Sequence, residues 1–120
     1  MGAYWSTGAN RSKVIEIHST KKWRVHYEES KGTDKLMVID FSASWCGPCG
    51  YMEPIVKEFS TTYTDVVFFK IDVDELADVA KEFGVQAMPT FVFMKNGKEV
   101  DKLVGADREE LERMIHKYRF

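Results

Sequence analysis

Several features that mark special classes of protein are scarce in this sequence of 120 residues. No uninterrupted apolar run approaches the roughly 20 residues that a membrane-spanning helix needs. Basic and acidic residues are nearly balanced, 17 against 19, and the net charge of −2 argues against a nucleic-acid binder with its basic surplus. The 3 tryptophans, 5 tyrosines and 8 phenylalanines exclude a disordered chain, because they supply too much apolar surface. The length therefore predicts one folded domain with a single core.

Cysteine is also scarce, since the chain has only Cys46 and Cys49. A secreted disulfide scaffold would carry more cysteines at wider spacings, and a bridge across so short a loop removes little unfolded-chain entropy. A zinc site would need further ligands, but His18, His26 and His116 lie far apart and no pair has ligand spacing. These exclusions favour redox chemistry in a reducing compartment, where the disulfide is transient.

Hydrophobic periodicity predicts the element order β-α-β-α-β-α-β-β-α. The predicted strands are 14–17, 36–41, 66–72, 90–94 and 99–104. The predicted helices begin at Ser19 or Thr20, after Cys49 with a kink at Pro54, near Leu76, and after Asp107. Crossover helices would make the first three strands parallel, whereas Asn96-Gly97 predicts an antiparallel hairpin between the last two. The expected fold class is α/β, with a central mixed five-stranded sheet and helices on both faces.

The two cysteines stand where a buried strand ends and a helix begins. Free N–H groups and the dipole at a helix N-terminus stabilise a thiolate, which is the reactive form of cysteine. Cys46 precedes the helix and is expected to be exposed, whereas Cys49 in its first turn is expected to be more buried. This asymmetry predicts that Cys46 attacks a target disulfide and that Cys49 resolves the mixed disulfide.

A resolving thiol needs a base, and Asp40 in the apolar run 36–41 is the best candidate. A carboxyl buried there would have a raised pKa and could exchange a proton near neutral pH. The residues alone leave a structural alternative open, in which Asp40 caps the strand end or pairs with Lys70.

Four segments in this order resemble motifs of the thioredoxin family. The segment 38–49, which ends in Trp45-Cys46-Gly47-Pro48-Cys49, resembles its active site. The segments 87–90, 95–97 and 104–106 resemble its cis-proline loop, hairpin and glycine loop, and the likeness covers about 14–119.

The resemblance implies the thioredoxin fold, with Cys46 as nucleophile, Cys49 as resolving thiol and Asp40 as buried proton carrier beside Lys70. It further implies a flat apolar surface that docks a substrate loop. That surface would consist of Trp45, Gly47, Pro48, Met88, Pro89, Gly105 and Ala106, with Pro89 in the cis form. The expected activity is cytoplasmic reduction of disulfides in target proteins by a monomer with no bound cofactor. Thioredoxin reductase with NADPH, or a glutaredoxin–glutathione route, would supply the electrons.

One position departs from the family pattern, because Gly50 stands where Lys or Arg usually follows the second cysteine. We hypothesise that the missing charge alters partner choice or slightly weakens thiolate stabilisation. Residues 1–13 read as a flexible extension before a domain at 14–120, and they resemble the extensions of some plant h-type members. Within the extension, Gly2 fits a myristoylation pattern, which would give only weak, reversible membrane association.

Two other functions compete with a reductase. A secretory oxidase or isomerase is opposed by Gly47-Pro48 between the cysteines and by the lack of a signal-peptide pattern. A redox-gated interaction module with little turnover would use the same fold without catalysis. Replacing Cys49 distinguishes the module from a reductase.

Overall fold

The computed structural model describes residues 11–120. Over that range the chain forms strands and helices in the predicted order. They are β1 (Ile15–Ile17), α1 (Thr20–Ser30), β2 (Met37–Ser42), α2 (Gly47–Thr62), β3 (Val67–Asp72), α3 (Ala77–Glu82), β4 (Thr90–Lys95), β5 (Lys98–Val104) and α4 (Arg108–Tyr118). No helix within the described range is long and apolar enough to cross a membrane. The predicted acylation at Gly2 lies outside the described residues.

One five-stranded sheet with the strand order β1-β3-β2-β4-β5 organises residues 11–120. β3 pairs in parallel with both β1 and β2, and β4 pairs antiparallel with β2 and β5, so the predicted strand directions are confirmed. Asn96 (φ 54°) and Gly97 (φ 76°) form the tight turn between β4 and β5. This is the conformation that an Asn-Gly hairpin requires.

Apolar side chains cover both faces of the sheet. Even-numbered residues of β2 and β3, such as Val38 and Phe68, pack with α2 and α4. Odd-numbered residues, such as Ile39 and Ile71, pack with Trp23 of α1 and with α3. Because side chains alternate along a strand, Asp40 must lie on the α2 face, among otherwise buried apolar groups.

Helix starts follow the capping residues in the sequence. Ser19 accepts a hydrogen bond from the Lys22 N–H at the start of α1, and Asp107 accepts one from the Glu110 N–H at the start of α4. Pro54 lies inside α2, as predicted. The capping residues therefore begin α1 and α4 where the sequence predicts.

Candidate functional site

Cys46 and Cys49 lie at the junction of β2 and α2, as the sequence predicts. Cys46 is the N-cap of α2, and its Sγ accepts a hydrogen bond from the Cys49 N–H at 3.2 Å. The two sulfurs form a disulfide, with their Cα atoms 5.3 Å apart. Cys46 is half-buried and Cys49 is only 7% exposed. The predicted difference in access between the two sulfurs is therefore present in the structure.

Asp40 lies within β2 and is 4% exposed. It lines a cleft of about 190 Å³ together with Cys46, Cys49, Gly50 and other residues. Among residues 11–120, its Oδ1 atom has no hydrogen-bond partner. Burial raises the pKa of Asp40 to about 7, against a lowering by the Lys70 charge. A carboxyl with this pKa can both hold and release a proton near neutral pH.

The alternative explanation of Asp40, an ion pair with Lys70, is wrong. Lys70 Nζ contacts Glu53 Oε2 of α2 at 2.5 Å, although Lys70 is the register partner of Asp40 on the neighbouring strand. Nor does Asp40 cap the end of β2, since the strand continues to Ser42. Sequence reasoning missed Glu53, yet its position four residues after Cys49 places both on one face of α2.

An exposed aromatic side chain stands beside the disulfide. Trp45 is 66% exposed, and its indole N–H donates a 2.8 Å hydrogen bond to Asp74 Oδ2. Asp74 was also missed, although it follows β3 at the sheet edge where β2 ends. This bond limits the orientations of the ring, so that Trp45 presents an apolar face to solvent near the sulfurs.

The cis-proline loop lies next to Cys46. The Met88–Pro89 bond is cis, as the resemblance implies, and Cys46 Sγ is 3.6 Å from the Met88 carbonyl oxygen. The Gly105 N–H donates to the Pro89 carbonyl at 2.9 Å, which joins the glycine loop to the cis-proline loop. Pro89 itself is buried and Met88 half-buried, so Met88 offers more surface to a target than the proline does.

The remaining surface residues differ in exposure. Gly47 and Pro48 are exposed, and Gly105 and Ala106 are half-buried. Gly50 is exposed too, and a Cβ atom built there would meet no other atom within 4 Å. Open space therefore takes the place of the basic side chain that the family usually has beside the second cysteine.

The fold is an α/β sheet with parallel central strands, and two cysteines lie in the turn at the N-terminus of a helix. This combination defines the class of thiol–disulfide oxidoreductases. The chain belongs to the thioredoxin family, whose pattern it matches over residues 14–117. It is similar to "Thioredoxin H2" of Arabidopsis thaliana, with 50% identity over 113 residues that cover 94% of this chain and 85% of that one. "Thioredoxin H2-1" of Oryza sativa subsp. japonica is 55% identical over 108 residues, which cover 90% and 78% of the two chains.

Solved structures agree with the sequence comparison. The crystal structure of thioredoxin NaTrxh from Nicotiana alata superposes with a TM-score of 0.90 at 58% identity, and the match covers 91% of this chain and 95% of that one. The protein is thus a thiol–disulfide oxidoreductase whose redox centre is the pair Cys46 and Cys49. Its family acts on disulfides of other proteins and needs no bound cofactor.

Proposed function

We propose that the protein works as a protein-disulfide reductase in which the two cysteines have separate tasks. The observation that carries the assignment is the half-buried Cys46 sulfur at the N-cap of α2, beside a Cys49 that is only 7% exposed. In the dithiol form, the Cys46 thiolate attacks one sulfur of a target disulfide and expels the other target sulfur as a thiolate. The Cys49 thiolate then attacks Cys46, which forms the Cys46–Cys49 disulfide and releases the second target thiolate.

We further propose that Asp40 carries the proton of the resolving thiol. Cys49 and Asp40 line the same cleft, and the pKa of about 7 lets the carboxylate accept a proton as Cys49 becomes a thiolate. Among the residues that the structure describes, its Oδ1 has no hydrogen-bond partner. This supports the role, because a carboxyl bound in an ion pair would hold a proton less readily.

Target docking is assigned to the apolar surface around Cys46. In that surface Trp45, Gly47 and Pro48 would be exposed to a target. Met88, Gly105 and Ala106 are half-buried, and Pro89 is buried. The Met88 carbonyl oxygen is 3.6 Å from the Cys46 sulfur, and this proximity supports a role for it in binding the backbone of a target.

The electrons would come from another protein, thioredoxin reductase with NADPH, or from a glutathione-linked route. We propose a monomer with its domain at 14–120 and an extension at 1–13. Similarity to h-type thioredoxins supports a cytosolic location for it. Myristoylation of Gly2, with weak membrane association, belongs to the same proposal.

Reduction of insulin disulfides by NADPH and thioredoxin reductase tests the function. The wild-type protein should turn over many disulfides per molecule. Cys49→Ser should lose turnover and accumulate a mixed disulfide on Cys46, whereas the control Cys46→Ser should neither turn over nor trap a target. A redox-gated interaction module would instead bind its partners with little turnover and would be nearly unaffected by Cys49→Ser.

A further inference from the structure

A row of charged groups crosses the sheet on the α2 face. The row consists of register partners on successive strands, namely Glu16 of β1, Lys70 of β3 and Asp40 of β2. The next partner after Asp40 is Phe91 of β4, which carries no charge. Neighbouring strands lie about 4.8 Å apart, so the stem of Lys70 runs alongside Asp40. The lysine could thus reach either acid of the row, and Asp40 is the more buried of the two.

Lys70 is nevertheless bound to neither neighbour, because its ammonium contacts the carboxylate of Glu53 at 2.5 Å. Glu53 extends from α2, one turn beyond Cys49, and Lys57 on the next turn lies 3.8 Å from its other oxygen. This position draws the lysine charge up toward the helix and away from the sheet. Asp40 Oδ1 correspondingly has no hydrogen-bond partner within residues 11–120.

We propose that Glu53 is a positioning residue that holds the Lys70 ammonium away from Asp40, and so keeps the buried carboxyl uncompensated and able to hold a proton. This rests on the proposed role of Asp40 as proton carrier. A lysine released from Glu53 would turn to the nearest buried acid, Asp40, because an opposite charge close by is the strongest stabilisation that a buried carboxylate can find. Asp40 would then stay ionised, and it could accept a proton from Cys49 less readily.

The charges that face Asp40 are consistent with this assignment. Burial has the largest effect on the pKa of Asp40 and raises it, Lys70 lowers it, and Glu53 raises it. Lys70 is itself partly buried, which lowers its pKa, but the hydrogen bond to Glu53 and the charges of Glu53, Glu16 and Asp40 outweigh that effect. From β4 the facing side chain is Phe91, which is apolar.

The test is the titration of the Asp40 carboxyl, followed by ¹³C NMR in the oxidised protein. Glu53→Gln keeps the size of the side chain and removes its charge, so the Asp40 midpoint should fall by at least about half a pH unit. In a Lys70→Met background the same substitution should have less than half of that effect, because only direct repulsion between the two acids is then removed. Glu58→Gln, on the same helix as Glu53, breaks an exposed ion pair with Arg108 of α4 and is the control that should leave the midpoint in place.

Two results would overturn the proposal. An unchanged midpoint in Glu53→Gln would show that Glu53 has no influence on Asp40. An equal fall with and without Lys70 would show that Glu53 acts by repulsion alone and positions nothing.

An Asp40→Asn variant tests the proton-carrier role of Asp40 separately from the positioning role of Glu53. In the reductase assay, the pH profile of Glu53→Gln should move to lower pH along with the midpoint. If Asp40→Asn keeps the full rate at every pH, the proton-carrier role fails, while the titration still decides the role of Glu53.

Discussion

Replacing Asp40 by asparagine should stabilise the oxidised protein, and the gain should grow as the pH rises. The substitution keeps the size of the side chain but removes its ability to ionise. In the native protein Asp40 is 4% exposed and its Oδ1 has no partner among the described residues, so ionisation there costs free energy. In the unfolded chain the same carboxyl ionises in water.

The magnitude follows from the two pKa values. Burial raises the native pKa from 3.8 to about 7, so the native state binds more protons than the unfolded state between these values. The contribution of Asp40 to the free energy of unfolding is therefore fully present below about pH 4 and is lost as the pH rises to about 7. The difference between the native and unfolded pKa values corresponds to about 4 kcal/mol of unfolding free energy. About 2.5 kcal/mol of this should develop between about pH 5 and about pH 8.

Urea denaturation of the oxidised protein across that pH range measures the effect. The free energy of unfolding of Asp40→Asn minus that of the wild type should increase with pH, with unchanged m-values. Asp34→Asn, at an exposed carboxyl, is the matched control. A difference between Asp40→Asn and wild type that stays constant across the range would refute a buried carboxyl that titrates near neutral pH.

Alanine at two glycines should change stability in opposite directions. Gly50→Ala should raise the free energy of unfolding by about 0.5–1 kcal/mol, because Gly50 lies in α2 with open space around a new Cβ. Gly97→Ala should lower the free energy of unfolding by more than about 1 kcal/mol. The reason is that φ of Gly97 is +76° and a new Cβ would lie 2.7 Å from Lys31 Cγ. Urea titrations that give both variants the same sign would contradict this. Gly50→Arg should speed thiolate attack several-fold on at least one of several target disulfides, relative to the uncharged Gly50→Gln, since a cation stabilises the thiolate. Equal rates on all targets would remove the hypothesis that the missing charge matters.

Much of the fold can be predicted from local patterns. The apolar run ending at Phe41, the Asn96-Gly97 turn and the Asp107 cap all rest on neighbours in sequence, and each lies where it was expected. The unequal access of Cys46 and Cys49 follows equally from a strand-to-helix turn.

The partners of the site residues could not be predicted in the same way. Trp45 and Asp74 are 29 residues apart, and they meet because β2 and β3 end at the same edge of the sheet. Lys70 is the register partner of Asp40, as the resemblance implies, but its ammonium binds another acid. The ion pair with Glu53 depends on how α2 lies across the sheet, which no local pattern in the sequence specifies.

Burial is what makes Asp40 both destabilising and useful. An exposed carboxylate would be too weak a base to hold a proton from Cys49 in the neutral range. A carboxyl paired with Lys70 would also stay ionised, and the stability it regained would come with the loss of proton exchange. The apolar clusters on both sheet faces offset the cost of one uncompensated acid. The contact of Glu53 with Lys70 is then the interaction that separates a proton carrier from an ordinary buried ion pair.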